Sequence, residues 1–460
     1  MPLWSAYSAF EYIRSLWLKT FLFITQPIIT RWLPDPYTNA GNVRVDARPT
    51  YESRVTMTEI ITPAHANTKG LAYAGTVLGW IDVAAGIAAK RHASVPSVTR
   101  SVDDVAFLHP VKVGDILTIQ ASVNKSWKTS MEVGVKVEAE SPLTAERVFV
   151  AHAYLTFVAL SPRPSPKTYL GRKLIEYQPI RVPEVIPYSQ EEIKRYDMAE
   201  SRRQARFARK AQDLKNIRQL FQAWSQGLRH DTGKNAPIIP HPALYAVEPE
   251  GASNNINSNN ADDSPSQSPR DRLPQRRYST DPRMMPMSEK AMATTFAEVV
   301  ELVMPQHANT LSITFGGQIM AWMELCALTS AHRLTKAYLL TASIDSLNFI
   351  TPTRVGDVVT VRSIVSRTFK SSMEVYVSVE AENLQTGQVN FTNDGFFTIT
   401  AMDEKNVPVL LPHAIPHTEA EVELLEGSDD RRKKRLTQRQ ELINLVSATT
   451  PHTLQTPLSP

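Results

Sequence analysis

Two acidic side chains, each set in a long apolar stretch, are the first candidates for chemistry. Asp82 lies within GTVLGWIDVAAGIAA and has no basic residue within one helical turn, and Glu324 holds the same place in GGQIMAWMELCA. Burying a carboxylate costs free energy unless it has partners or a use, and desolvation raises its pKa. A raised pKa suits a general base. A core acid with satisfied hydrogen bonds, or a residue on the polar stripe, is the alternative.

An asparagine stands in the loop ahead of each of these stretches, at Asn67 and at Asn309. Its amide could donate to a carbonyl or orient a water, whereas its ordinary use would be to cap the loop. The first backbone N–H groups of the helices, around Gly75, Gly316 and Gly317, carry partial positive charge. They could polarise a substrate oxygen.

Other catalytic patterns find little support. His65 and His307 could be ligands or bases, but no second His, Cys or acidic residue stands at metal-ligand spacing, so no metal site is predicted. A Gly-Xaa-Ser-Xaa-Gly elbow is absent, which argues against a serine hydrolase. The single cysteine, Cys326, sits in an apolar helical pattern and is expected to be a buried core thiol.

The candidates recur because the chain contains an internal repeat. The run His-Ala-Asn-Thr begins at His65 and again at His307, and 307 − 65 = 242. The same offset relates SMEVGVKVEAE, from Ser130, to SMEVYVSVEAE, from Ser372, and it holds without gaps from Glu59 to Thr156. An ungapped match of this extent indicates a duplication.

Each repeat must position its acid and its asparagine with a small set of elements. In the first repeat, 56–61 alternates like a strand, and 75–92 has the period of a helix with one buried face. Four β-rich runs follow, at 97–107, 116–123, 131–140 and 149–160. A strand, a long helix and four strands predict an α+β fold in which an antiparallel sheet wraps around one helix.

The sequence divides into five parts. They are an apolar N-terminal extension (1–50), the first repeat (51–163), a linker with a basic helix and a disordered polar segment (164–290), the second repeat (291–403) and a basic C-terminal tail (404–460). Basic runs follow both repeats at a similar distance, at Arg202 and Arg203 and again at 431–435. Their recurrence favours a structural or phosphate-contacting role over a nuclear signal.

Composition limits the class of protein. The 460 residues, 42% hydrophobic and 21% charged, are ordinary for globular domains, and a net charge of +4 does not point to nucleic acid. One cysteine fits a reducing compartment. The apolar segment 10–33 contains Arg14, Lys19 and Pro27, so it is interpreted as an interfacial helix, a transit-like segment or a docked helix. It would allow a peripheral membrane contact.

The motifs HANT, AGTVLGWID, FGGQIMAWME, PVKVGD and SMEVGVKVEAE resemble those of the acyl-coenzyme A thioesterases with two hotdog domains. The similar branch contains the cytosolic acetyl-coenzyme A hydrolase and the brown-fat inducible thioesterase. The resemblance covers both repeats and part of the first linker. It implies a double hotdog, in which the asparagine of one repeat faces the acid of the other. One site would be Asp82 with Asn309, and the other Asn67 with Glu324.

The resemblance also implies a mechanism and a binding mode. Asp82 would activate water or attack the thioester carbonyl itself, and Asn309 and helix N-terminal amides would polarise the carbonyl. No cofactor is implied beyond the coenzyme A of the substrate. Arg202 or Arg203 would meet its phosphates. The nucleotide would lie along strand segments of both repeats: Arg100, Ser101 and Val102; Thr129, Ser130 and Met131; Ser343, Ile344 and Asp345; Ser371, Ser372 and Met373.

The resemblance also has implications for assembly, substrate and location. The family implies trimers of double hotdogs and an acyl-CoA substrate, in the cytoplasm or alternatively the mitochondrion, with no nucleic-acid partner. Relatives in this branch carry a lipid-binding START domain after the second repeat, for which too few residues follow here. The alternatives are a non-catalytic acyl-CoA sensor or scaffold and an enoyl-CoA hydratase. The hydratase would need an Asp-His pair that is not repeated in this chain.

Overall fold

The computed structural model describes residues 46–169, 172–208, 214–229, 278–279 and 289–449. The apolar segment 10–33 lies outside these residues, as does the polar insert apart from Tyr278 and Ser279. The expectations for both segments therefore stay predictions.

The first repeat contains one long helix and a set of mainly antiparallel strands. Two strands precede the helix: β1 (Arg48–Pro49) and β2 (Val55–Ile60). The helix itself is α1 (Ala74–Ala93). The strands that follow are β3 (Ser97–Val102), β4 (Val105–Ala106), β5 (Ile116–Ser126), β6 (Ser130–Glu140), β7 (Arg147–Tyr169), β8 (Arg172–Pro179) and β9 (Val185–Ile186).

Two helices, α2 (Gln190–Ala208) and α3 (Lys215–Arg229), lead to the second repeat. It begins with β10 (Glu289–Ala291) and β11 (Ala297–Leu302), and its long helix is α4 (Gly316–Leu334). The later strands are β12 (Tyr338–Ile344), β13 (Leu347–Asn348), β14 (Asp357–Thr368), β15 (Ser372–Asn383), β16 (Gln388–Met402) and β17 (His413–Ile415). Two further helices follow, α5 (Glu419–Leu425) and α6 (Ser428–Thr449).

The strands form two large sheets. One has the order β13-β3-β7-β6-β5-β2, with β8 paired to β7, and the other has the order β11-β14-β15-β16-β12-β4. Each sheet therefore takes a two-residue strand from the other repeat: β13 pairs with β3, and β4 pairs with β12. The two repeats share their sheets at this junction.

Each long helix is buried against its own sheet because its apolar residues recur at helical spacing. The side chains predicted to face the core are buried: Val77, Leu78, Ile81, Ala84, Ala85 and Ala88. The predicted helix and the runs at 116–123 and 131–140 are present within a few residues of the expected bounds. The run at 97–107 is divided between β3 and β4, and the run at 149–160 extends to Tyr169 in β7. The α+β expectation, with an antiparallel sheet around a long helix, is confirmed for both repeats.

The two long helices also press against each other at glycines. A Cβ atom on Gly75 would lie 2.7 Å from Cα of Ala321, and one on Gly317 would lie 2.6 Å from Cα of Gly79. Real Cβ atoms do not approach backbone this closely, so only glycine permits the approach. This contact brings the start of each helix next to the middle of the other, where the acids lie.

The regions predicted as linker and tail pack more closely than the sequence indicated. The apolar face of α3 contributes Ile217, Phe221 and Trp224 to a second core cluster, together with Phe296 and Tyr376 of the second repeat. The last 57 residues were predicted to be a basic tail. Within this region, α5 and α6 lie against the second repeat, with Leu424 in the cluster and Arg431 paired to a buried acid.

Candidate active site

Asp82 lies in the middle of α1 with its carboxylate only 2% exposed. Its Oδ1 accepts a hydrogen bond from Oγ1 of Thr99 at 2.6 Å, and its Oδ2 accepts one from the backbone N–H of Gly317 at 3.0 Å. Burial raises the pKa of Asp82 above its ordinary value, while the Thr99 hydroxyl and the amides of Gly316 and Gly317 act in the opposite direction.

Glu324 has the equivalent place on α4 but makes more contacts with the opposite helix. Both of its oxygens accept backbone N–H groups at the start of α1, from Ala74 at 3.1 Å and from Gly75 at 2.5 Å. The hydroxyl of Thr341 donates to Oε1 at 2.5 Å. Burial raises the pKa of Glu324 above its ordinary value, while these hydrogen bonds act in the opposite direction.

These contacts correct one expectation. The amides around Gly75 and Gly317 were predicted to face a substrate oxygen, but they donate to Glu324 and Asp82 instead. Neither helix has a capping side chain of its own, since Tyr73 and Phe315 precede them without such a hydrogen bond. The acid of the opposite repeat therefore serves as the cap and satisfies N–H groups that a helix start leaves unpaired.

The loop asparagines use their carboxamide oxygens to hold the loop. Oδ1 of Asn309 accepts N–H groups from Leu311 at 2.9 Å and from Ile313 at 3.2 Å, and Oδ1 of Asn67 makes the equivalent pair of bonds. The predicted alternative, a loop-organising role, is thus part of the structure. It also fixes the orientation of the amide and leaves the Nδ2 hydrogens of Asn309 to donate elsewhere.

Asp82 and Asn309 line the same cavity, which has a volume of about 500 Å³. We call it cavity 1. Residues of both repeats form it: Gly86, Lys90, Thr99, Arg100 and Phe157 from the first, and Ile313, Phe315, Ile319, Phe349 and Arg354 from the second. Tyr177 and Pro179 of β8 add to its wall. The acid of one repeat and the asparagine of the other therefore lie on the wall of the same cavity.

The equivalent cavity in the other half differs. Cavity 2, of about 390 Å³, is lined by counterparts of the cavity 1 residues such as Phe107 and Leu340, but its lining includes neither Glu324 nor Asn67. Four basic side chains line it instead: Lys370, Arg432, Arg435 and Arg439. The second predicted pair, Asn67 and Glu324, therefore does not line cavity 2.

The two histidines of the HANT runs have a structural role. Nδ1 of His65 lies 3.3 Å from the backbone N–H of Thr62, and its ring packs edge-on against Trp80 with centroids 5.0 Å apart. His307 repeats both contacts, with Met304 and with Trp322. These rings hold the loop that carries the asparagine onto the helix that carries the acid.

The predicted nucleotide-binding segments are distributed between the cavities and the sheets. Arg100 lines cavity 1, and its guanidinium donates to the carbonyl of Phe349. The residues of these predicted segments that line cavity 2 are Ser343, Ser371 and Ser372. Those with buried side chains are Ser101, Val102, Met131, Ile344 and Met373. Thr129 and Ser130 are half-buried, and Asp345 forms an ion pair with Arg435 at 3.4 Å.

The basic helix α2 uses its arginines for ion pairs within the protein. Arg202 donates to Oε1 of Glu132 at 2.5 Å, and Arg206 donates to Oε2 of the same carboxylate at 3.0 Å. Glu132 is completely buried. The predicted phosphate contact by Arg202 is not supported by this arrangement, because its guanidinium neutralises an internal charge. Arg203 lies over the ring of Trp127, 4.6 Å from its centroid.

The same arrangement occurs after the second repeat. Arg431 and Arg435 of α6 pair with the buried Glu374, which is the counterpart of Glu132 (374 − 132 = 242). Arg432 lies over the ring of Phe369, the counterpart of Trp127. The recurrence of the basic runs therefore has a structural cause, and the duplication extends beyond the hotdog repeats themselves.

The remaining sequence expectations concern the thiol and metals. Cys326 is buried in the core, as predicted, and burial raises the pKa of its thiol to about 12. Among the residues that the structure describes, no three His, Cys, Asp or Glu side chains come together in a group that could hold a metal ion.

Sequence reasoning missed Thr99 and Thr341, which hydrogen-bond the two acids. Each threonine follows its acid by the same interval (99 − 82 = 341 − 324 = 17), on the strand after the helix. The repeat thus contained a signal, but Thr is common in strands and gave no reason to connect it with the acid.

Two sheets that exchange short strands around two buried helices, with a cavity between the repeats, define the double hotdog class. The Thioesterase superfamily matches residues 69–146 and 311–388 of this chain. A protein of Bacillus subtilis named uncharacterized acyl-CoA thioester hydrolase YkhA is 35% identical over 152 residues, which cover 32% of this chain and 88% of that protein. The chain belongs to the thioesterase superfamily.

Longer relatives match both repeats. Acyl-coenzyme A thioesterase 11 of Mus musculus is 32% identical over 398 residues, 86% of this chain and 55% of the relative. Acetyl-coenzyme A thioesterase of Mus musculus is 30% identical over 388 residues, 83% of this chain and 57% of the relative. The chain thus spans a little over half the length of these relatives.

Solved structures align with parts of the chain. An acyl-CoA hydrolase from Bacillus cereus is 34% identical and covers 38% of this chain and 98% of its own, with a TM-score of 0.33. An acyl-CoA hydrolase from Staphylococcus aureus in complex with butyryl coenzyme A and coenzyme A is 33% identical, with a TM-score of 0.32 over 38% of this chain and 98% of its own. Among the described residues, no helix is both long and apolar enough to cross a membrane.

Proposed function

We propose that the chain hydrolyses acyl-coenzyme A thioesters in cavity 1, releasing a free carboxylic acid and coenzyme A. The observation that carries this proposal is the placement of Asp82 and Asn309, from different repeats, on one cavity. The names of the longer relatives, which are acyl-CoA and acetyl-CoA thioesterases, support the class of substrate. No cofactor takes part beyond the coenzyme A that is part of the substrate.

Asp82 acts on water in this proposal. Its carboxylate takes a proton from a water molecule, and the hydroxide adds to the thioester carbonyl carbon. The resulting tetrahedral intermediate collapses by breaking the C–S bond. The coenzyme A thiolate then takes the proton from the Asp82 carboxyl, which restores the carboxylate. Because burial raises the pKa of Asp82, this carboxylate is a stronger base than an exposed aspartate.

Direct attack by Asp82 is the second route. Its oxygen would add to the carbonyl and expel the thiolate, and water would then hydrolyse the acyl anhydride. A single turnover in ¹⁸O-labelled water separates general-base catalysis from direct attack with water addition at the Asp82 carbonyl. Water addition at the acyl carbonyl labels the product on either route, and trapping the anhydride with hydroxylamine detects direct attack in that case. With Asp82 as general base, the label appears in the product acid of the first turnover. With direct attack followed by water addition at the Asp82 carbonyl, the label enters the aspartate instead.

Asn309 supplies the donor for the developing oxyanion. Its Oδ1 is occupied by two loop N–H groups, so its Nδ2 hydrogens are the ones available to the substrate. The helix amides do not take this role, because Gly317 donates to Asp82. A fixed donor in a water-poor site stabilises the oxyanion without having to reorient during the reaction.

The chemistry is assigned to cavity 1 and not to cavity 2. Glu324 is committed through both oxygens to the start of α1 and does not line cavity 2. Asp82 keeps a place on the lining of cavity 1 while accepting one hydrogen bond at each oxygen. One productive site per chain therefore follows.

The matched variants Asp82→Asn and Glu324→Gln test the assignment. Each removes a negative charge from one repeat and keeps the size of the side chain. Release of free thiol from a series of acyl-CoA substrates by the purified chain is the measurement. We expect Asp82→Asn to lower kcat by about 10³-fold or more and Glu324→Gln to lower it only a few-fold. Unchanged turnover in Asp82→Asn would eliminate the role of Asp82, and tight acyl-CoA binding without any turnover by the unaltered chain would favour a sensor.

We further propose that the double hotdogs assemble as trimers. The edge strands β2 and β11 carry exposed apolar side chains, Ile60, Val300 and Leu302, that association would cover. The molar mass of the purified chain in solution by light scattering gives the answer, since a monomeric mass contradicts the proposal.

The proposed location is the cytoplasm. A cytosolic acyl coenzyme A thioester hydrolase of Mus musculus is 25% identical over 385 residues, 82% of either chain. Cell fractionation distinguishes this location from the mitochondrion, which would be the result if the N-terminal segment acts as a transit peptide.

A further inference from the structure

Three positions of α1, each four residues apart, line cavity 1: Asp82, Gly86 and Lys90. Residues at this spacing lie on one face of a helix, so the cavity follows α1 for about 12 Å beyond the proposed base. Gly86 is the middle one and has no side chain. A Cβ atom there would meet only Phe157 within 4 Å, at an ordinary contact distance of 3.7 Å.

The second repeat closes the equivalent space. The counterpart of Gly86 on α4 is Leu328 (328 − 86 = 242), which is only 8% exposed and belongs to the hydrophobic core. Leu328 does not line cavity 2, and neither does Glu324. A leucine therefore occupies the core beyond the acid in one repeat, and a glycine leaves that space open in the other.

The strands β3 and β12, which follow the two helices, show the same difference in side-chain size between the repeats. Ser97 of β3 lines cavity 1, whereas its counterpart in β12 is the buried Leu339 (339 − 97 = 242). Two small residues in the first repeat thus stand where the second has two leucines. The wall that remains around them is largely apolar, with Val98, Phe157 and Leu160.

We propose that Gly86 and Ser97 open a channel for the acyl chain beyond Asp82 and that the side chain at position 86 determines the acyl length this protein accepts. The inference rests on the proposed hydrolysis at cavity 1. A largely apolar channel that starts at the base and runs past Gly86 toward Lys90 suits a fatty acyl chain, because each methylene that enters it leaves water. The scissile carbonyl stays at Asp82 and Asn309, so the length of the channel limits the length of the acyl group.

Replacing Gly86 with the residue of the second repeat tests this channel. The variant Gly86→Leu places a leucine in cavity 1, where the backbone already has the conformation of an uninterrupted helix. Measured with acetyl-, hexanoyl- and palmitoyl-CoA, kcat/KM for palmitoyl-CoA should fall by about 100-fold, while that for acetyl-CoA should change only about twofold. For the smaller change Gly86→Ala, kcat/KM for palmitoyl-CoA should lie between the values of the wild type and Gly86→Leu.

Gly79→Ala provides the matched control, because it adds a side chain to the same helix at a position where nothing lies within 4 Å. We expect its chain-length profile to equal that of the wild type. Ser97→Leu narrows the channel from the sheet side and should also lower kcat/KM for palmitoyl-CoA more than that for acetyl-CoA. This variant keeps the test decisive if Gly86→Leu does not fold.

The results separate failure of the channel from failure of the proposed function. An unchanged chain-length profile in folded Gly86→Leu overturns the channel. So does an equal loss for acetyl-CoA and palmitoyl-CoA, because it would place Gly86 on a path that every substrate shares. If the wild type releases no thiol from any acyl-CoA, the proposed hydrolysis itself is contradicted.

Discussion

The backbone N–H of Gly317 donates to Oδ2 of Asp82 across 3.0 Å, from the helix of one repeat to the acid of the other. This contact caps a helix and positions the proposed base at the same time. The chemistry of the site and the pairing of the repeats therefore depend on the same atoms. The effect of this contact on catalysis and its effect on stability can be measured separately.

Thr99→Val should move the pH dependence of activity. Burial raises the pKa of Asp82, and the hydrogen bond from Thr99 opposes that rise. Removing the hydroxyl raises the pKa of Asp82 further. Since the carboxylate is the active form, the acidic limb of kcat/KM should shift to higher pH, and activity should recover at alkaline pH. Thr341→Val makes the same change beside Glu324 and should leave the profile where it is. A shift in that variant and none in Thr99→Val would reverse the assignment of the two sites.

Asn309→Asp separates the donor role of this residue from its loop role. Aspartate keeps an oxygen for the N–H groups of Leu311 and Ile313 but has no N–H to offer the oxyanion. We expect kcat to fall by about 10²-fold to 10³-fold without a large loss of thermal stability. Asn67→Asp is the control in the other repeat and should reduce kcat only slightly. Equal losses in both variants would contradict a single productive site.

Gly317→Ala should destabilise the paired repeats. Its Cβ would lie 2.6 Å from Cα of Gly79 and 3.0 Å from Cβ of Asp82, so α1 and α4 would have to move apart. Overpacking of this kind costs about 1–3 kcal/mol in free energy of unfolding, measurable by denaturant titration. Gly79→Ala meets nothing within 4 Å and should be neutral or stabilising by up to about 1 kcal/mol. A stable Gly317→Ala would show that the helices can separate at low cost.

Arg202→Met should unfold the first repeat more easily, because it removes one of two arginines that neutralise the buried Glu132. Breaking a buried ion pair costs about 3 kcal/mol. Adding Glu132→Gln should recover most of that loss, since it removes the buried charge that Arg206 would otherwise neutralise alone. Arg203→Met is the control and should cost under about 1 kcal/mol, because Arg203 stacks on the rings of Trp127 and Phe207 and pairs with no buried acid among the described residues. Equal losses of the two variants in free energy of unfolding, measured by denaturant titration, would contradict the greater structural role of the Arg202–Glu132 pair.

The sequence predicted the parts of the fold that depend on periodicity. The apolar spacing of α1 and the constant offset of 242 were sufficient to give both repeats and both helices, and Asp82 and Asn309 do line one cavity. Periodic patterns survive folding because each element must bury one face. Sequence periodicity could not predict the exchange of β4 and β13 between the sheets, because two-residue strands have no detectable period.

The sequence did not predict where the charges and hydrogen bonds would go. The basic residues of α2 were predicted to have a structural or phosphate-contacting role. Their partner could not be predicted, because Glu132 stands 70 residues before Arg202 on a strand. The hydrogen bonds that Thr99 and Gly317 donate to Asp82 could not be predicted either, because their partners are also distant in the sequence. Such contacts are set by three-dimensional packing, and a linear pattern carries no record of them.

The exchange of β4 and β13 has an evolutionary consequence. In an association of identical single-repeat chains, every mutation of the acid or of its neighbours appears in all copies at once, so no copy can change its chemistry alone. Fusion of two copies in one gene removes that coupling while the shared sheets keep the halves assembled. One half could then retain Asp82 beside Gly86, and the other could accept Glu324 beside Leu328 and line its cavity with arginines.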